Sequence, residues 1–249
     1  MPTYGLLGRK LSHSHSPQIH RLLGGYDYDL FEREPEQVVD FVQGDQWLGL
    51  NVTIPYKIDV LPLCHHLTDL AKRIGCVNTI IRDGNGKLTG HNTDYFGFDY
   101  MLQRSGIKVE GKKVLILGDG GSARTVRCVL EDREVGEMVT ISREGENNYK
   151  NIARHANASV IINTTPVGMY PNVDVAPIDL DMFPQCDGVL DLIYNPKQTK
   201  LLRQADSLGI SATNGLPMLV AQGAEAVGMF VGKKVEIDKI EQVIEEMGV

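Results

Sequence analysis

The sequence predicts an α/β chain built around parallel sheets, and three observations carry that reading. Short apolar or β-branched runs alternate with segments of helical period. One of those runs leads straight into a glycine-rich loop and then a helical pattern, the order of a β-α unit. With 249 residues, 42% of them apolar and 23% charged, the chain has an ordinary globular composition and length enough for two modest cores.

The strand runs are Tyr4–Leu7, Leu48–Thr53, Val77–Ile81, Val114–Leu117, Met138–Ile141, Val160–Ile162 and Gly188–Leu192. Asp83-Gly84-Asn85-Gly86 supplies the residues of positive φ that a tight hairpin needs, between 77–82 and 87–90. From Thr93 to Gly106, Tyr95, Phe98, Met101 and Leu102 follow helical spacing, so a helix carries the chain into a second block that opens at Gly111. Asn214-Gly215-Leu216-Pro217 breaks the pattern ahead of another helix. The last helix places Ile237, Ile240, Val243, Ile244 and Met247 on one apolar stripe that must pack on something. Residues 1–93 with 214–249 are therefore expected to form one domain, with a mainly parallel sheet, and residues 94–213 a second.

Charge and cysteine usage exclude several classes. A net charge of −7 with scattered basic residues argues against a nucleic-acid partner. No apolar run approaches the ~18 residues that span a bilayer, and the opening residues do not resemble a signal peptide, so a cytoplasmic protein is expected. Cys64, Cys76, Cys128 and Cys186 show neither a C-x-x-C pair nor ligand spacing and read as reduced, mostly buried thiols. His13 and His15 have no acid or cysteine cluster to join them, so no metal site is expected.

After Val114–Leu117 the chain reads Gly118-Asp119-Gly120-Gly121-Ser122-Ala123, a match to G-x-G-x-x-A with a strand before it and a helical pattern behind it. Gly118 permits the tight turn, Gly120 lets backbone approach a pyrophosphate, and Ala123 allows close packing of helix on strand. A glycine turn of purely structural purpose is the alternative. The second domain is thus expected to be Rossmann-like, doubly wound and dinucleotide-binding. An acid that binds the adenosine ribose belongs about 20 residues further on, where the chain instead has Ser142-Arg143. Arginine there suits the 2′-phosphate of NADP over NAD, while the adjoining Glu144 pulls the other way. Asp119 is expected to turn to solvent, because a carboxylate beside a pyrophosphate is unfavourable.

Four segments of the first block combine small polar residues with one lysine and one acid: His13-Ser14-His15-Ser16-Pro17, Asn51-Val52-Thr53-Ile54-Pro55-Tyr56-Lys57, Gly75-Cys76-Val77-Asn78-Thr79 and Asn92-Thr93-Asp94. In extended chain Ser14 and Ser16 project to the same side, where two hydroxyls can grip one carboxylate; a turn capping the helix after Pro17 is the alternative. Pro55 is read as ending a strand and starting a helix, which puts Thr53 and Lys57 at the strand mouth where α/β sites gather. Taken alone, a lysine such as Lys57 reads as a solvated surface charge, and Asp94 is readable as the N-cap of the following helix.

Together with Asn163-Thr164-Thr165-Pro166-Val167-Gly168-Met169, Tyr194-Asn195-Pro196 and the segment Asn214 to Gln222, these segments resemble the shikimate dehydrogenases, in order and over essentially the whole chain. The resemblance implies that Ser14, Ser16, Asn51, Thr53, Asn78, Asp94, Tyr194 and Gln222 bind the carboxylate and hydroxyls of shikimate, while Lys57 and Asp94 carry the chemistry. It places Gly118, Asp119, Gly120, Gly121, Ser122, Ala123, Ser142, Arg143, Thr164, Leu192 and Gly215 around NADP. Asp69 matches a position on the cofactor side, or is a helix-surface acid. The implied activity is reversible NADP-dependent reduction of 3-dehydroshikimate to shikimate, a step toward chorismate and the aromatic amino acids, by a monomer or homodimer. Two rivals share the pattern: an NAD-using quinate/shikimate dehydrogenase, and a nucleotide-binding regulatory paralogue that has lost catalysis.

Overall fold

A computed structural model describes residues 3–12 and 14–248. The chain divides into two compact units, Met1–Gly97 with Val220–Met247, and Phe98–Leu219. Both crossings fall inside helices.

In chain order the elements are β1 (Thr3–Gly8), α1 (Ser16–Gly24), β2 (Tyr28–Glu32), α2 (Val38–Gln43), β3 (Trp47–Val52), β4 (His66–Leu67), α3 (Asp69–Ile74), β5 (Thr79–Arg82), β6 (Leu88–His91) and α4 (Asp94–Ser105). There follow β7 (Lys113–Leu117), α5 (Gly121–Asp132), β8 (Glu137–Ile141), β9 (Val160–Asn163), β10 (Gly188–Asp191), α6 (Lys200–Ser207), β11 (Ser211–Thr213), α7 (Leu216–Val231) and α8 (Ile237–Gly248). No helix among the described residues is long and apolar enough to cross a membrane.

The first unit holds a mixed sheet in the order β2-β1-β3-β5-β6-β4. β1 runs parallel to β2 and β3, β4 parallel to β6, and β5 antiparallel to both its neighbours. The β5–β6 hairpin turns through Asp83, whose Oδ1 accepts from the backbone of Asn85 and Lys87, an aspartate local turn of the expected kind. Leu7, Trp47, Leu50, Tyr56, Val60 and Ile80 are fully or almost fully buried in the core of this unit.

The second unit holds five parallel strands in the order β11-β10-β9-β7-β8. Every residue of β9 and β10 is buried, because a parallel sheet covered by helices on both faces selects continuous apolar runs over alternation. In sequence order the strands read 2-1-3-4-5, a doubly wound sheet whose winding reverses between β7 and β9, where such folds receive ligands at the carboxyl ends of the strands.

Three local expectations are corrected. Residues 54–60 form turns around a cis Ile54–Pro55 peptide, not a helix; Pro62 follows within two residues, leaving too few positions between the prolines for a helix to repay its nucleation. Ser14 and Ser16 do not sit in extended chain, since His15 between them is in the right-handed helical region. Ile237, 46% exposed, lies outside the buried stripe of α8, which consists of Ile240, Val243 and Ile244; it occupies the first position of its helix, where a side chain has no preceding turn to pack over.

Candidate active site

The topology of the first sheet gathers the polar segments at one end of its strands. β1, β3 and β6 end there, and β5, being antiparallel, begins there: Asn51 pairs with Thr79, and Thr79 with His91. Ser14 and Ser16 therefore follow the end of β1, Thr53 and Lys57 the end of β3, Asn78 precedes β5, and Asp94 follows β6. Gly8 allows the close approach, since a Cβ there would lie 2.7 Å from Thr53 Cγ2.

Lys57 Nζ donates to Asp94 Oδ2 at 2.5 Å, with side chains 13% and 6% exposed. An enclosed pair of this kind is not a solvated surface charge. Nor is Asp94 spent on capping α4, because the first turn is held by Asn92 Oδ1, which accepts from Tyr95 N at 3.2 Å. Burial by itself pushes the Lys57 ammonium toward losing its proton, but the Asp94 charge and hydrogen bond, with Cys76 nearby, outweigh it and hold the pKa above its usual value. Lys57 is consequently an ammonium at neutral pH.

The amides and hydroxyls around the pair interlock. Tyr28 donates to Asn51 Oδ1 at 2.7 Å, Asn51 Nδ2 to Thr79 Oγ1 at 2.9 Å, and Asn78 Nδ2 to Thr93 Oγ1 at 2.9 Å. Thr93 N donates to Asn78 Oδ1 at 2.7 Å, and Thr93 Oγ1 reaches Gln222 Oε1 of α7 at 3.4 Å. Ser14 and Ser16 hydroxyls lie 3.2 Å apart despite the helical turn between them. Tyr28, Thr79 and Thr93 belong to this network and were not singled out from sequence. Thr79 and Thr93 lie inside the quoted motifs; Tyr28 sits in a polar segment with no pattern to flag it.

In the second unit, Gly118 follows β7 with φ +103, and a Cβ on it would lie 2.7 Å from Thr164 Oγ1. Thr164 stands at the reversal point, its N and Oγ1 both donating to Leu117 O, at 2.9 and 2.7 Å. Gly120, by contrast, has nothing within 4 Å of a built Cβ, so no packing within the protein demands glycine there. It is the N-cap of α5, with no side-chain cap and no acid in the first turn, leaving the backbone N–H groups of Gly121, Ser122 and buried Ala123 at a helix N-terminus suited to an anion. Asp119 and Arg143 are both exposed, and their charges act from opposite directions on the Tyr149 phenol, whose pKa burial raises. Ser142 Oγ donates to Glu144 O, and Arg143 forms no ion pair among the described residues. Gly215 packs so tightly on Leu192 that a Cβ would overlap its carbonyl. Tyr194 follows β10 in this unit, apart in the chain from the other substrate candidates. Asp69 opens α3 of the first unit, fully exposed and paired with Lys72 at 3.2 Å, the surroundings of a helix-surface acid.

A doubly wound sheet with an open glycine loop, and an enclosed lysine–aspartate pair ringed by hydroxyls and amides, define a dinucleotide-dependent oxidoreductase of small polar substrates. Residues 6–80 match the family model described as the shikimate dehydrogenase substrate binding domain. A shikimate dehydrogenase (NADP(+)) of Clostridium perfringens is 37% identical over 269 residues, covering 99% of this chain and 98% of its own. Among solved structures, shikimate dehydrogenase 1 of Peptoclostridium difficile superposes with a TM-score of 0.93 at 34% identity, over 99% of this chain and 98% of the other. The shikimate 5-dehydrogenase of Thermus thermophilus, solved in complex with NADP(H) and shikimate, gives 0.88 at 28% identity over 99% and 100%. The chain belongs to the shikimate dehydrogenase family.

Proposed function

We propose that this chain catalyses the reversible NADP-dependent reduction of 3-dehydroshikimate to shikimate, in the route to chorismate and the aromatic amino acids. The observation that carries the reading is the 2.5 Å contact between Lys57 and Asp94, at strand ends lined with hydroxyls and amides. Bound NADPH supplies the hydride. Lys57, held as an ammonium, donates its proton to the oxygen of the ketone as it becomes an alkoxide, and Asp94 fixes Lys57 and accepts a hydrogen bond from a substrate hydroxyl. Ser14 and Ser16 grip the substrate carboxylate; Asn51, Thr53, Asn78, Tyr194 and Gln222 bind its hydroxyls. In the oxidative direction Lys57 is the base, and its neutral fraction grows about tenfold per pH unit below its pKa.

The dinucleotide fits the second unit. Within the loop Gly118 to Ala123, the start of α5 presents uncapped backbone N–H groups at Gly121, Ser122 and Ala123 with an open approach at Gly120, and Thr164, Leu192 and Gly215 shape the strand ends beside them. Arg143 binds the 2′-phosphate. Arg143→Ala is expected to raise KM for NADP about 10–100-fold, the loss that goes with one charge-assisted hydrogen bond, with KM for NAD unchanged; steady-state kinetics with both cofactors measure it. The protein is further proposed to work in the cytoplasm as a monomer or homodimer, which light scattering distinguishes.

The function is tested by initial rates at the nicotinamide absorbance with shikimate and quinate, each against NADP and NAD. Shikimate with NADP is expected to be fastest. Quinate with NAD fastest would favour the quinate/shikimate dehydrogenase, and no rate in any combination would remove the enzyme reading.

A further inference from the structure

Asp191 has no part in the assignments above, yet it is fully buried at the end of β10. An acid inside an apolar strand is costly unless its oxygens are satisfied, and burial pushes its carboxyl up to about 6 against the hydrogen bonds that oppose the shift. Three donors converge on it: Thr199 Oγ1 at 2.7 Å, Asn163 Nδ2 at 3.0 Å and Ile193 N at 3.1 Å. They come from two segments, the turn after β9 and the loop between β10 and α6. Asn163 ends β9, and its Oδ1 accepts from Thr165 N at 3.0 Å and Thr165 Oγ1 at 2.7 Å, which fixes the turn holding Thr164. Ile193 follows Leu192 and accepts from Gly215 N at 3.0 Å. Thr199 is the N-cap of α6, accepting from Leu202 N at 3.2 Å, and closes the loop that carries Tyr194.

We infer that Asp191 is a positioning residue: one carboxylate ties the Thr164 turn and the Leu192–Thr199 loop into the arrangement that receives the dinucleotide. The inference rests on the cofactor assignment proposed above. Asp191 touches no reacting atom and acts through Asn163, Thr199 and the backbone.

The test is NADPH binding, read by fluorescence titration of the folded chain. Asp191→Ala strands three buried donors, and its Kd for NADPH is expected to rise about 10–100-fold, as displacements of about 1 Å in a preorganised site do. Asp191→Asn keeps two acceptor bonds at Oδ1 and donates to Thr199 Oγ1, so binding should return to near wild type. A residue that only stabilises the fold would lower the Tm of Asp191→Ala and leave the Kd of the folded fraction unchanged, which overturns the inference. If Asp191→Ala does not fold, Thr199→Ala decides: weaker NADPH binding supports positioning and unchanged binding contradicts it. Failure of the wild-type chain to bind NADPH is a different result, and overturns the cofactor assignment itself.

Discussion

Lys57→Met is expected to lower turnover by about 10²–10⁴-fold, the usual loss when general acid–base help is removed. Methionine keeps the apolar stem that packs beside the site but cannot carry a proton. NADPH binding should be unaffected, because the glycine loop and Arg143 belong to the other unit. Stability should fall as well: the substitution leaves the Asp94 carboxylate buried without its partner, and breaking a buried pair typically costs about 3–5 kcal/mol. Single-turnover rates of the folded variant, with its NADPH affinity measured in parallel, separate lost chemistry from lost fold. Near-normal turnover would end the assignment of Lys57.

Asp94→Asn tests the pair from the other side. Asparagine retains size and one acceptor oxygen but removes the charge that holds the Lys57 pKa up, while the burial that lowers it remains. The Lys57 pKa is therefore expected to fall. Turnover in the reductive direction should drop by at least about 10²-fold, and the rising limb of the oxidative pH profile should move to lower pH. A residue that merely braced the fold would leave that profile in place. The pair also links stability to pH with a definite sign. Because the folded-state pKa of Lys57 lies above its ordinary 10.5, the stabilisation is complete below that value and is lost as pH rises through the folded pKa.

The centre of each sheet was legible in the sequence because buried strands are apolar runs: all seven predicted runs fall on strands. The strands that went unread are β2, β4 and β11, and all three lie at sheet edges. An edge strand buries little, so Tyr28-Asp29-Leu30-Phe31-Glu32 and Ser211-Ala212-Thr213 carry no apolar pattern. The site was legible as motifs, and Lys57 and Asp94 stood out only by their company. Their contact depends on the antiparallel placement of β5, which brings the start of one strand to the ends of three others and leaves no local trace. Buried hydrogen bonds between distant segments, such as Tyr28 to Asn51, have no period to detect. Asp191 did leave a signal, an acid inside the apolar run 188–192, and its partners are visible only in three dimensions. The helix expected after Pro55 failed because propensity at its first position says nothing about the proline that closes the window.

The most direct measurement is the pH dependence of kcat/KM for shikimate oxidation with NADP, which reports the protonation of the free enzyme. With Lys57 held as an ammonium by Asp94, the value should climb about tenfold per pH unit from neutrality to pH ~10 without a plateau. A plateau reached near pH 7 would mean that Lys57 is already neutral there, and would contradict an ammonium held by Asp94 at neutral pH.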